Sequence, residues 1–102
     1  MKIVAVTACP TGIAHTYMAA EALVKSAAQA QITIHVETQG AMGIDNKLTY
    51  KDISQAQVVL IASDIQIENA DRFEQTQMIQ VSIEEVLTNP DSVIQRCIDH
   101  AK

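Results

Sequence analysis

Short apolar runs alternate along the chain with stretches of helical periodicity. Four runs, at residues 3–6, 32–37, 58–62 and 78–81, have the length and the β-branched content that are typical of strands. The run at 58–62 is apolar throughout, which indicates a strand covered on both faces. The pattern therefore predicts four strands with helical segments between them.

The first helical stretch covers residues 13–30, and its polar positions Glu21, Lys25 and Gln29 repeat at i, i+4 spacing on one side. A helix with this pattern turns its apolar side to the core. The apolar side, which we predict to be core, contains Met18, Ala19, Ala22, Leu23, Ala27 and Ala30.

Capping signals mark three shorter helices. Thr49 precedes Asp52 by three residues and predicts a helix to about residue 55, and Ser82 with Glu85 predicts another to about residue 87. Asn89 followed by Pro90 predicts the start of the last helix. Its predicted apolar stripe contains Val93, Ile94, Cys97, Ile98 and Ala101. We predict a loop at 38–43, because of its two glycines, and mostly loop with one helical turn at 64–77.

Strands that alternate with helices form βαβ units, which give a parallel sheet with right-handed crossovers. We therefore expect residues 1–102 to form one small, doubly wound α/β domain, with helices on both faces of a four-stranded parallel sheet. A chain of 102 residues leaves no room for a second domain.

The amino-acid composition excludes several classes of function. The net charge of -5 argues against binding to a nucleic-acid backbone, and no apolar segment is long enough to span a membrane or to form a secretory signal. The two cysteines form neither a disulfide framework nor a zinc spacing, so we expect a cytoplasmic protein with reduced thiols, no metal and no cofactor. Cys97 fits the apolar stripe of the last helix, whereas Cys9 lacks an evident structural reason for its position.

Cys9 ends the first predicted strand, and the loop after it leads into the first helix. Ligands bind at the carboxyl ends of the strands in such sheets, and a tight loop at a helix N-terminus can hold an anion with its N–H groups. To lower the pKa of Cys9 by two units, its surroundings must favour the anion by about 2.7 kcal/mol. A helix terminus supplies up to about 2 kcal/mol, and the hydroxyl groups of Thr11 or Thr16 can supply the rest.

The spacing from Cys9 to His15 and Thr16 resembles the Cys-x5-Arg-Ser/Thr loop of low-molecular-weight cysteine phosphatases. His15 lacks the bidentate fork of arginine, and the chain contains no Asp-Pro pair for a general acid. We therefore expect the loop to hold a phosphoryl group without activating water. A phosphatase or arsenate-reductase-like enzyme is the first alternative, and a non-catalytic regulatory domain is the second.

Residues 2–23, and above all Cys-Pro-Thr-Gly-Ile-Ala-His-Thr at 9–16, resemble the start of fructose-type enzyme IIB domains of the bacterial phosphoenolpyruvate:sugar phosphotransferase system. The resemblance continues at 36–40, 46–49, 52–53, Asp64 and 72–73. It departs after Phe73, where Glu74-Gln75-Thr76-Gln77 stands in place of the family's usual Gly-Lys pair.

The resemblance implies strand order 2-1-3-4 and a phosphocysteine at Cys9. It implies that the phosphoryl group comes from a phosphohistidine of enzyme IIA. The group then passes to a sugar, fructose or a fructose-like one, that is held by the membrane permease, enzyme IIC. It also implies attachment to the inner face of the membrane through the permease, without insertion of this chain.

The predicted site has three parts. Cys9 is the predicted catalytic residue. The predicted phosphate-binding residues are Thr11, Gly12, Ile13, Ala14, His15 and Thr16. We expect His15 to contact the phosphate or to tune the thiolate, not to carry the phosphoryl group itself. The candidate rim residues, each next to the end of a predicted strand, are Pro10, Gln39, Gly40 and Asp64.

Overall fold

Strands and helices alternate along the computed structural model, which describes residues 1–9, 14–41, 43–74 and 76–101. In chain order the elements are β1 (Lys2–Ala8), α1 (Ala14–Gln29), β2 (Thr33–Gly40), β3 (Gly43–Asp45), α2 (Tyr50–Gln55), β4 (Val58–Ser63), a 3₁₀ helix (Ala70–Phe73), β5 (Met78–Val81), α3 (Ile83–Thr88) and α4 (Pro90–Ala101).

The sheet has five strands in the order β3-β2-β1-β4-β5. Strands β2, β1, β4 and β5 are parallel, and they are the four strands predicted from the sequence, in the order that the resemblance implied. The prediction of a four-stranded, purely parallel sheet is nevertheless wrong. Strand β3 runs antiparallel to β2 at the edge and makes the sheet mixed.

The extra strand, Gly43–Asp45, begins at the end of residues 38–43, the segment that the two glycines had indicated as a loop. Strand β2 instead continues to Gly40, and Gly40 pairs with Gly43 in a hairpin. Gly43 has a φ of 107°, a conformation that residues with a side chain rarely adopt. Gly43 therefore allows the chain to turn back along β2, and the sheet continues.

Each face of the sheet is covered by helices. Helices α1, α3 and α4 pack on one face, and α2 with the 3₁₀ helix packs on the other. The core of the first face includes Ile3, Ala5, Cys9, Ala19, Leu23, Leu60, Val86, Ile94 and Cys97. The core of the second face includes Val4, Val6, Ala8, Leu48, Ile53, Ile61, Ile67 and Phe73.

The buried side of α1 differs from the prediction at Met18, which is 52% exposed. The buried residues of this helix are Thr16, Ala19, Leu23, Ser26 and Ala27. Thr16 and Ser26 are thus polar residues on the buried side of the helix, and a search for apolar positions does not identify them. The Ser26 hydroxyl donates to the carboxylate of Asp91 at 2.5 Å, which satisfies its polar group and joins α1 to α4.

Both predicted capping boxes are present, at the starts of α2 and α3. The backbone N–H of Thr49 donates to Asp52, and the backbone N–H of Ser82 donates to Glu85. These hydrogen bonds are the main reason that the pKa of each carboxyl is below its usual value. Among the described residues, no helix has both the length and the apolar character needed to cross a membrane.

Candidate functional site

Cys9 directly follows β1, a central strand of the sheet. β1 lies between β2 on one side and β4 on the other, and the chain order of the strands changes direction at β1. Its carboxyl end is therefore the point at which the strand order reverses. Ligands of doubly wound sheets bind at such a point. Cys9 is not in a disulfide and is only 6% exposed, at the rim of the core beneath α1.

The sulfur of Cys9 accepts a hydrogen bond from Thr16. The distance from Thr16 Oγ1 to Cys9 Sγ is 3.1 Å, and Thr16 is fully buried in the first turn of α1. The hydroxyl of Thr7 in turn donates to the carbonyl oxygen of Thr16 at 3.1 Å, which ties the start of the helix to β1. A hydroxyl that donates to sulfur favours the thiolate, so this geometry suits a nucleophilic cysteine.

The structure describes only part of the predicted phosphate loop. Ala14, His15 and Thr16 form the first turn of α1, and the side chains of Ala14 and His15 are exposed. The other predicted phosphate-binding residues, Thr11, Gly12 and Ile13, lie outside the described residues, as does the rim candidate Pro10.

The remaining rim candidates lie at the same edge of the sheet as Cys9. Ala8 is opposite Gln39 on β2 and opposite Ser63 on β4, so Gly40 and Asp64 flank the next position. Asp64 is exposed, whereas Gln39 is 8% exposed and its amide already makes hydrogen bonds within the protein. A role for these residues in binding phosphate stays a prediction.

A buried ion pair that no sequence pattern predicted lies beneath this edge. Arg72 donates to both carboxylate oxygens of Glu37, at 2.8 Å and 2.9 Å, and the exposed fractions of these side chains are 6% and 0%. The carboxylate also accepts hydrogen bonds from Gln39 Nε2 and from the N–H of Leu48, each at 2.8 Å. The signal in the sequence was a carboxylate at an inward position of a strand.

Burial raises the pKa of Glu37, but the hydrogen bonds from Arg72, Gln39 and Leu48 together lower it below its usual value. Arg72 is satisfied as well. It donates to the carbonyl oxygens of Leu48 at 3.1 Å and Asn69 at 2.9 Å, and its guanidinium lies 4.7 Å from the ring centroid of Phe73. The ion pair therefore links distant segments of the chain, and both of its side chains are occupied by contacts within the protein.

Two further observations concern metal binding and the second cysteine. Across the described part of the chain, no group of His, Cys, Asp or Glu residues is arranged to hold a metal ion. Cys97 is fully buried on α4, and burial raises the pKa of its thiol to about 11. It therefore has the inert, structural character that its place on the apolar stripe predicted.

Comparison with known proteins identifies the family of this α/β domain. The family described as the lactose/cellobiose-specific IIB subunit of the phosphotransferase system matches residues 4–96. The fructose-like EIIB component 2 of Escherichia coli strain K12 is 41% identical over 99 residues, which are 97% of this chain and 93% of that protein. The fructose-specific EIIABC component of Bacillus subtilis strain 168 is 43% identical over 98 residues, 96% of this chain and 15% of that protein.

The fold agrees equally well. The crystal structure of a predicted fructose-specific IIB from Escherichia coli superposes with a TM-score of 0.94 and 42% identity, over 99% of this chain and 89% of that one. The class defined by the fold and the site is thus a phosphoryl-transfer domain. The chain belongs to the IIB components of the bacterial sugar phosphotransferase system, which are phosphotransferases.

Proposed function

We propose that Cys9 is the phosphoryl carrier of this IIB domain. It accepts the group from a phosphohistidine of enzyme IIA and donates it to fructose, or to a fructose-like sugar, bound by the membrane permease IIC. The observation that carries the proposal is the hydrogen bond from Thr16 to the sulfur of Cys9, at the strand end where such sheets bind ligands.

Each transfer exchanges one bond to phosphorus for another. The thiolate of Cys9 attacks the phosphorus in line, an S–P bond forms as the N–P bond breaks, and the imidazole of the donor leaves with the electron pair. A hydroxyl oxygen of the sugar then attacks the phosphorus, the S–P bond breaks, and the thiolate returns. The hydroxyl proton passes to a base at the permease site or to solvent.

The names of the relatives support the proposed partners and the proposed sugar. Their names specify fructose or a fructose-like substrate, and one of them carries A, B and C components in a single chain. Chemistry supports the order of transfer. A thiolate held by a hydroxyl donor is a nucleophile at neutral pH and also a good leaving group.

A charging experiment tests the proposal. The chain is incubated with phosphoenolpyruvate, enzyme I, the histidine phosphocarrier and the IIA domain of a fructose system, and its intact mass is measured. We expect a single phosphoryl increment that is lost in Cys9→Ser and kept in Cys97→Ala, a control with the same number of thiols. The proposal fails if no increment forms with a IIA domain that charges its own IIB, or if Cys9→Ser is still charged.

The same preparation tests the alternatives. A phosphatase or an arsenate reductase would turn over p-nitrophenyl phosphate or arsenate without the partner proteins, and a non-catalytic domain would never be charged. We expect the wild-type chain to turn over p-nitrophenyl phosphate and arsenate no faster than the Cys9→Ser variant does.

A further inference from the structure

Residues 64–68, which we call the strap, lead from one neighbour of β1 to the other across its carboxyl end. Strand β4 ends at Ser63, opposite Ala8, and Glu68 is bonded to Gln39, which is opposite Ala8 on β2. Because β1 lies between β2 and β4, the strap spans two strand spacings, or roughly 10 Å. It therefore crosses the sheet near the carboxyl end of β1, the strand that Cys9 directly follows.

Both ends of the strap are fastened by side chains. Gln39 holds Glu68 through two hydrogen bonds, from Gln39 Nε2 to the carbonyl oxygen at 3.0 Å and from the backbone N–H to Gln39 Oε1 at 2.8 Å. At the other end, the hydroxyl of Ser63 donates to the carbonyl oxygen of Ile65 at 2.6 Å and accepts from its N–H at 3.0 Å. Ile67 is 9% exposed and packs in the same core cluster as Ala8.

The fastening at Gln39 rests on the buried ion pair. Gln39 Nε2 also donates to Glu37 Oε2 at 2.8 Å, and Glu37 is held by the two donors of Arg72. Arg72 bonds back to the carbonyl oxygen of Asn69, the residue that follows the strap. A continuous set of hydrogen bonds thus runs from the core of the second face to the strap.

We propose that Gln39 is a positioning residue for phosphoryl transfer, which pins the strap beside Cys9 as a docking wall for the protein that carries the phosphohistidine. This inference rests on the proposed function. The exposed residues of the strap are Asp64, Ile65, Gln66 and Glu68, and Ile65 presents an apolar side chain that is 41% exposed. Such a surface next to a thiol suits contact with a protein, because the free energy falls when a partner covers an exposed apolar group.

The position of the strap separates its role from that of Thr16. Ile67 belongs to the core cluster of the second face, whereas Cys9 and α1 belong to that of the first. Loosening the strap should therefore weaken docking of the donor and leave the reactivity of the thiol unchanged. General destabilisation would not produce this split.

The test replaces Gln39 with leucine, which has a similar size but no amide group, and uses Gln29→Leu at the exposed far end of α1 as the matched control. The donor is the phosphorylated IIA domain that charges the wild-type chain. In Gln39→Leu, which removes both hydrogen bonds to Glu68 and the one to Glu37, we expect the KM for this donor to rise roughly tenfold, with kcat within about twofold of wild type. The pH profile of Cys9 alkylation should not change.

Hydrogen exchange at the amide of Glu68 reports the strap directly and should accelerate in Gln39→Leu. Gln39→Asn, whose shorter side chain withdraws the amide from Glu68, serves if the leucine variant does not fold. Faster exchange with an unchanged KM would overturn the proposal, and so would exchange as slow as in wild type. If the wild-type chain itself is not charged, the proposed function fails instead.

Discussion

The two cysteines of this protein are both buried, at 6% and 0% exposure, and both belong to the same apolar cluster, yet their surroundings differ in kind. Cys97 lies inside α4, and burial raises the pKa of its thiol to about 11 even though the nearby charge of Arg96 acts in the opposite direction. Cys9 lies at the end of a strand and accepts a hydrogen bond from Thr16. Burial alone therefore does not decide the chemistry of a thiol, because its polar contacts act on it as well.

The largest expected effect is in alkylation. At pH 8, a thiol with a pKa of about 11 is ionised in roughly one molecule per thousand, and Cys97 is also shielded from solvent. We expect iodoacetamide to label the native chain once, at Cys9, and the urea-unfolded chain twice, as measured by intact mass and peptide mapping. Labelling of native Cys97 at a rate near that of Cys9 would remove the contrast between the two sites.

The second effect is on stability at alkaline pH. Because folding raises the pKa of Cys97 from 9.0 to about 11, the folded chain keeps the proton that the unfolded chain releases. The stabilisation is fully present below pH 9 and is lost as the pH rises toward 11, with about 1.4 kcal/mol lost by pH 10.

Urea unfolding of wild type and Cys97→Ala, at pH 7 and pH 10, measures this loss. The alanine variant is expected to be less stable at pH 7, since it leaves a small cavity, but to lose about 1.4 kcal/mol less than wild type between the two pH values. Equal losses in both proteins would show that Cys97 is not the group responsible.

The smallest effect concerns the hydroxyl contact at Cys9. Thr16→Val keeps the shape of the side chain but removes the donor to the sulfur, so the thiolate loses about 1 kcal/mol of stabilisation. We expect alkylation of Cys9 at pH 7 to slow about fivefold, and Thr16→Ser, which retains the hydroxyl, to restore most of the rate. If Thr16→Val reacts as fast as wild type, the contact has no part in the reactivity of Cys9.

Local patterns predicted much of this fold. The two capping boxes, the Asn89-Pro90 helix start and the four parallel strands are visible in the sequence, because each depends on residues close to one another in the chain. The hairpin at Gly40 and Gly43 was missed, since glycines that end a strand and glycines that turn it back have the same local signature.

The tertiary contacts of the candidate site were less accessible. Glu37 and Arg72 are 35 residues apart, and neither position shows a pattern that predicts the partner. Gln39 was a candidate for the rim because it follows a strand, but only the structure shows that it holds Glu68. Met18 was expected in the core but is 52% exposed, whereas Ser26 is buried on the side of α1 that contacts α4.

The sequence by itself determined the order of the elements and the place of Cys9 at a strand end, because hydrophobic period, capping residues and turn residues act over a few positions. The tertiary structure alone decided that the Thr16 hydroxyl contacts the sulfur of Cys9 and that Arg72 pairs with Glu37. It also decided that the strap crosses the carboxyl end of β1. These contacts depend on the packing of segments that are far apart in the chain. Their energies come from burial and desolvation, which the local pattern does not record.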